Sequence, residues 1–159
     1  MAKGEEKTNV MRILDKEKVD YAYHTYDHDD GLIDGISIAN KMGKPLETVY
    51  KTLVTKGKSS HFVFVVPVAC ELDLKKAARS VGEKAVEMIK VADINKVTGY
   101  IRGGCSPIGM KKAFVTVYDK SAETLPTITV SAGRIGSQIE LSPQVLAKLT
   151  RGTFEDIVK

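Results

Sequence analysis

Residues 49 to 68 read "VYKTLVTKGKSSHFVFVVPV", two runs rich in β-branched and aromatic residues separated by the polar stretch "KGKSS". Runs of this length around a Gly- and Ser-bearing turn predict a β-hairpin. The second run is apolar at nearly every position, which suits a strand of a buried sheet rather than one with a wet face. Segments of helical periodicity stand on both sides of it. In "KTNVMRILDKEKV", Val10 and Leu14 share a face with Ile13 on its flank, and "GISIANKMG" fits a second short helix stopped by Gly43 and Pro45. "ELDLKKAARSVG" predicts a helix ended by Gly82, and "ADINKVTGYI" predicts another that runs into a glycine loop. "FVTVYDKS", "TITVSA" and "QIELS" predict short strands, and "SPQVLAKLT" a closing helix with Ser142 as N-cap and Pro143 in its first turn. The expected fold is α+β, one domain over residues 1–159, with a mixed, partly barrel-like sheet flanked by helices. The loops "DHDDGLIDG" and "DKSAETLP" are the expected mobile parts.

At 159 residues, 43% of them hydrophobic, the chain is long enough to bury one real core. No apolar run reaches the roughly 18 residues of a membrane span, and "MAKGEEKTNV" lacks the apolar stretch of a signal peptide, so a cytosolic protein without membrane contact is expected. Two cysteines, Cys70 and Cys105, are too few for a disulfide framework, and without a C-x-x-C pairing no metal site is expected. No cofactor motif stands out. A net charge of +4 permits a polyanionic partner without establishing one.

The chemistry concentrates in few places. Alternation puts Lys51 on the face of Val49 and Leu53, opposite Tyr50 and Thr52. A lysine on that apolar face is either a snorkelling edge residue or a cation held at a cleft to meet an anionic or carbonyl ligand. "GYIRGGCSPIGMKK", residues 99–112, joins Gly103 and Gly104, which tolerate positive φ and close approach, to the turn-forming pair Ser106–Pro107. Cys105 between them invites a nucleophile reading, with Arg102 and Lys111 near in sequence to lower its pKa, yet His24, His28 and His61 have no context that marks a base for it. His24 and His28, four apart, fall on a strand entering a loop, without the helical geometry of a ligand pair. A second glycine-bearing loop, "TVSAGRIGSQIEL", residues 129–141, places Ser131 at a strand end before Gly133 and Gly136. Two such loops can present main-chain groups and a hydroxyl to one ligand.

In order and spacing, "NVMRILDKEKVDYAYHTYDH", "VYKTLVTKGK", "ELDLKKAARSVGEKAVEMI", "TGYIRGGCSPIGMKK" and "ITVSAGRIGSQIELSP" resemble the YbaK/EbsC family. These are bacterial aminoacyl-tRNA deacylases related to the editing domain inserted in bacterial prolyl-tRNA synthetases. The resemblance implies an α+β fold and trans-editing hydrolysis of Cys-tRNA(Pro), with removal of Ala, Ser or Thr by sister enzymes and a non-catalytic aminoacyl-tRNA or nucleotide-binding module as the alternatives. Partners implied are the 3′ end of aminoacyl-tRNA and prolyl-tRNA synthetase. Prolyl-tRNA synthetase mistakes cysteine for proline because a pocket separates near-isosteres by only a few kcal/mol, and a second site must remove the error. The family's proposed nucleophile is the substrate's own thiol, so Cys105 is not required.

Carried over on the same footing, Lys51 would orient the terminal adenosine and ester and balance oxyanion charge. The main chain of Gly103 and Gly104 would line the aminoacyl pocket, and Ser131 would contact substrate. Tyr26 would stand at the pocket mouth, Ser106 and Gly133 would support binding, and Gln138 joins them where some relatives carry an acid. Where some relatives have an aromatic residue before the second helix, this chain has Leu32, Ile33 and Ile36.

Overall fold

A computed structural model describes residues 7–159; residues 1–6, part of the charged stretch read above as lacking a signal sequence, lie outside the described residues. Along the chain run α1 (Asn9–Lys16), β1 (Ala22–Thr25), α2 (Gly35–Met42), β2 (Tyr50–Lys56), β3 (His61–Pro67), α3 (Leu74–Ser80) and β4 (Glu87–Met88). They are followed by α4 (Ile94–Thr98), β5 (Val115–Asp119), β6 (Ile128–Arg134), β7 (Ser137–Leu141), α5 (Pro143–Thr150) and β8 (Thr153–Glu155). The predicted hairpin forms, Tyr50 opposite Pro67 through Lys56 opposite His61. β3 is the middle strand of a five-stranded mixed sheet ordered β4-β2-β3-β5-β8, antiparallel to β2 and parallel to β5.

Because successive side chains point to opposite faces, β3 serves two cores. Val63 and Val65 join α1, α5 and the second sheet, whereas Phe62, Phe64 and Val66 pack under α3 with Ala77, Ala78 and Ile157. Burial on both faces explains its unbroken apolar run. At roughly 1.5–3 kcal/mol for each large apolar side chain fully buried, this strand alone is a main contributor to stability.

The second sheet, ordered β1-β7-β6, is antiparallel throughout. A parallel bridge between Val49 and Thr129 sets β2 beside β6 and joins the two sheets at one corner, without closing a barrel. Val130, Ala132, Ile139 and Leu141 turn one face of this sheet into the core shared with Val10, Leu14 and Leu146.

Helix ends follow sequence chemistry. Asp34 caps α2 by accepting from the Ser37 amide at 3.1 Å, and Gly43 ends it with φ 68°. Ser142 caps α5 by accepting from the Val145 amide, with Pro143 at the first position. Both loops expected to be mobile have defined contacts. "DKSAETLP" is a 3₁₀ turn over Lys120–Thr124, capped by Asp119 and anchored by fully buried Ala122. "DHDDGLIDG" is tied down by Lys41, whose ammonium donates to the Asp27 and Leu32 carbonyls and to Asp30.

Candidate active site

The face of the β1-β7-β6 sheet turned away from the core is polar. Ser131 pairs with Gln138, which pairs with His24; Thr129 pairs with Glu140. Tyr26 continues β1, its amide donating to the Gly136 carbonyl at 3.1 Å, and stands two residues beyond His24, so it shares that face and is a diagonal neighbour of Gln138. β2 adds Lys51. From the Val49–Thr129 bridge, two steps along each parallel strand lead to Lys51 and Ser131, which therefore project to one side. The ammonium of Lys51 lies 3.4 Å from the Val68 carbonyl.

α2 flanks this face at the corner where β2 meets β6. Ala39 and Met42 pack with Val49 and Val68, and Lys44, just past the helix, donates to Glu140 Oε1 at 2.6 Å. Gly35 opens the helix against Val68, so close that a Cβ would stand 2.5 Å from Val68 Cγ1. The preceding Ile33 reaches over Gly103. The aliphatic residues of this loop thus provide a contact with the glycine loop, and Leu32 and Ile36 stay exposed beside it.

The two glycine loops meet. Ile101 to Gly104 form a turn in which the Gly104 amide donates to the Ile101 carbonyl at 2.9 Å. Gly103 takes φ 87° at its third position, the positive value a type II turn needs there. Gly104 then abuts the main chain of Arg134 and Ile135. β6 bulges between Ser131 and Arg134, and within that bulge Ser131 Oγ accepts from the Gly133 amide at 3.1 Å. The proton of the Ser131 hydroxyl is not used in that bond.

Several of these residues make contacts inside the protein. The directions in which Gly103, Gly104 and Gly133 would carry a side chain are filled by protein: Ile33, the Arg134–Ile135 main chain, and Tyr100 with Val10. Their bareness lets the two loops close on one another. Ser106 has 0% exposure, and its Oγ accepts from the Ile108 amide. It shapes the loop from inside. Cys105 does not look like a thiolate: burial pushes its thiol up to about 12, against a smaller opposing effect of a hydrogen bond with Thr98. His24 bonds Glu140 at 2.8 Å and His28 packs edge-on to Tyr26, while among the described residues no His, Cys, Asp and Glu side chains gather into a metal-binding group.

Two residues of consequence were missed in the sequence. Tyr100 donates its hydroxyl to the Ile108 carbonyl and packs on Gly133 and Gly109, so it fastens the first glycine loop to the second. Glu140 is caged by Lys44, Thr127 at 2.6 Å and His24; these hydrogen bonds, Lys44 foremost, lower its carboxyl from 4.5 to about 2. Its spacing of two from Gln138 in "QIEL" was the available signal for a shared face.

The phenol oxygen of Tyr26 and Oε1 of Gln138 are buried without a hydrogen-bond partner. Buried polar atoms are almost always partnered, and each orphan costs about 1–3 kcal/mol. Both of these orphans lie on the face that also holds Lys51 and Ser131. Tyr26 further lines a cavity of about 280 Å³ with His28, Arg134 and Gly136, at the turn between β6 and β7.

A polar sheet face with Lys51, Ser131, Tyr26 and Gln138 beside the Lys44–Glu140–His24 cluster, flanked by α2 and bounded by two touching glycine loops, defines a small two-sheet α+β domain. Residues 36–149 match the aminoacyl-tRNA editing domain, and the chain belongs to that family. Over 156 residues it is 44% identical to EbsC of Enterococcus faecalis, named as a Cys-tRNA(Pro)/Cys-tRNA(Cys) deacylase, covering 98% of this chain and 95% of that one. Two solved structures share the fold at low identity. One, described as a trans-editing enzyme for prolyl-tRNA synthetase, superposes with TM-score 0.82 at 20% identity over 98% of this chain and 99% of its own. The other, described only as a hypothetical protein, gives 0.86 at 19% identity over 97% and 100%.

Proposed function

We propose that this protein is a trans-editing deacylase that removes cysteine from Cys-tRNA(Pro), and from Cys-tRNA(Cys) where it meets it. The observation that carries the reading is the shared face of Lys51 and Ser131 beside the unpartnered Tyr26 and Gln138; the near full-length similarity to EbsC supports the substrate.

On this reading the substrate thiol attacks its own ester carbonyl. A carbon–sulfur bond forms, the carbon–oxygen bond to the terminal ribose breaks, and the thiol proton passes to the departing ribose oxygen, leaving a cyclic thiolactone and free tRNA. Thiol and carbonyl already belong to one molecule, so the site has only to hold the reacting conformer and stabilise developing charge. Lys51 neutralises the carbonyl oxygen and adjacent phosphate as charge builds. Ser131 donates its hydroxyl proton to the ester region, and the carbonyl of Gln138 accepts from the α-amino group. Tyr26 packs at the mouth against the terminal sugar or base, and the main chain of Gly103 and Gly104 borders the aminoacyl group. Gly133 and Ser106 hold the two loops in place. Prolyl-tRNA synthetase is the partner this activity implies, and the cytoplasm its setting.

Single-turnover deacylation of Cys-, Ala-, Ser- and Pro-tRNA(Pro) and of Cys-tRNA(Cys) tests the proposal. Fast release from both cysteine esters and slow release from the others is expected. Equal rates across the panel, or binding of charged tRNA without turnover, would overturn it.

A further inference from the structure

Past Ser106 the first glycine segment leaves the editing face and, from Pro107 to Phe114, lines a groove of about 880 Å³ with α1 and α5. Half-buried Ile13, Val19, Met110, Phe114 and Leu149 form an apolar wall continuous with the main core. Lys112, Lys148 and Arg151 stand among its lining residues against a single acid, Glu17. All three cations are exposed, and none takes part in an ion pair among the described residues. The groove is therefore apolar below and net positive at its edge, and the proposed deacylation uses none of these side chains.

Size narrows the occupant. α5 and its C-cap Arg151 border the groove from Val145 onward, roughly 10 Å at about 1.5 Å per residue. That is under two turns, too short to seat the three or four turns of an ordinary docked helix. Its volume falls within the roughly 300–1,000 Å³ of small-molecule sites, which are apolar with a few convergent polar groups. Charge complementarity supplies the rest of the description. We propose that this groove is a second binding site, for a small amphiphilic acid: a short aliphatic or aromatic group, seated on the apolar wall, that carries one carboxylate or phosphate among Lys112, Lys148 and Arg151.

The test uses the full chain with octanoate, octyl phosphate and neutral octanol as probes, followed by calorimetry and by amide chemical shifts. Octanoate or octyl phosphate is expected to bind at least tenfold more tightly than octanol, shifting amides of Met110, Phe114 and Leu149, and the stronger of the two acids identifies the head group. The double variant Lys148→Glu/Arg151→Glu, both changes on exposed positions, is expected to weaken the acid at least tenfold and leave octanol unchanged. Raising salt to 0.5 M should also weaken the acid alone. Equal binding of octanol and the acids, acid binding indifferent to charge reversal and salt, or a dimer seated on this groove that octanoate does not displace would each overturn the proposal.

Discussion

Gly104 lies against the main chain of the opposite loop, so that a Cβ on it would stand 3.2 Å from the Ile135 amide nitrogen and 3.3 Å from Arg134 Cα. Those neighbours are backbone and cannot swing aside as a flexible side chain would. Gly104→Val should therefore part the two loops and displace the main chain that the proposed function sets against the aminoacyl group. A displacement of about 1 Å can lower a rate on the order of 100-fold, with about 1–3 kcal/mol of stability lost to overpacking. Single-turnover deacylation and thermal melting of the same preparation check this. A variant that melts lower but deacylates normally would separate the loop contact from the chemistry.

Lys51→Ala should lower deacylation of Cys-tRNA(Pro) by about 10²–10³, the size of losing one charge-stabilising donor, while the circular dichroism spectrum stays unchanged. Among the described residues the side chain's one hydrogen bond is the long one to the Val68 carbonyl, so stability depends little on it. Lys51→Arg should also be slow, because a planar guanidinium does not reproduce a compact ammonium beside the Val68 carbonyl. Near-normal rates in Lys51→Ala would remove this residue from the mechanism.

Tyr26→Phe separates binding from stability. Its hydroxyl is buried and unpartnered, so deleting it removes an uncompensated desolvation cost of about 1 kcal/mol or more. The variant should melt about 2–4 °C higher per kcal/mol recovered, as expected for a chain of this size, yet bind charged tRNA less tightly. A drop in melting temperature would mean that the hydroxyl has a stabilising role in the folded protein.

Cys105→Ala should deacylate within a few-fold of the unmodified protein, because the thiol, pushed up to about 12, is neutral near pH 7 and unsuited to attack. By the same substrate-assisted chemistry, Ser-tRNA(Pro) should react far more slowly than Cys-tRNA(Pro), a hydroxyl being the poorer nucleophile. Mass spectrometry of the enzyme during turnover is the check: an acyl group trapped on Cys105 would reverse the assignment.

Glu140 sets the acid limit of the site face. Its folded carboxyl sits at about 2 against a reference of 4.5, so the bonds from Lys44, Thr127 and His24 stabilise the fold fully above about pH 4.5, and that contribution is lost as pH falls toward 2. Glu140→Gln should melt lower than the unmodified protein at pH 7, and the gap should narrow between pH 5 and pH 2. A gap independent of pH in melting experiments would show that the carboxylate charge is not what matters there.

The parts of this protein that local chemistry controls were open to reading from the chain. The "HFVFVVPV" strand, the α5 start at Ser142–Pro143 and the α2 stop at Gly43 follow from side-chain periodicity, capping and the glycine backbone, all of which act within a few residues. The short strands β4 and β8 carry no such local signal; Thr153–Glu155 is a strand because β5 lies beside it. In the same way, "DKSAETLP" has the composition of a loop but is ordered by the burial of Ala122.

The residues that resemble a family's site could be named from sequence, yet how they act was decided by contacts between segments distant in the chain. Lys51 and Ser131 share a face because one bridge, Val49 to Thr129, aligns two strands 80 residues apart. Gly133 is bare because Tyr100 and Val10 fill the space beside it, and Ser106 turns inward because its loop closes over it. Sequence determines which conformations and chemistries each residue allows. Which of those is used depends on the neighbours that packing brings within a few ångströms, and for Gly104 and Ile135 those neighbours belong to different loops.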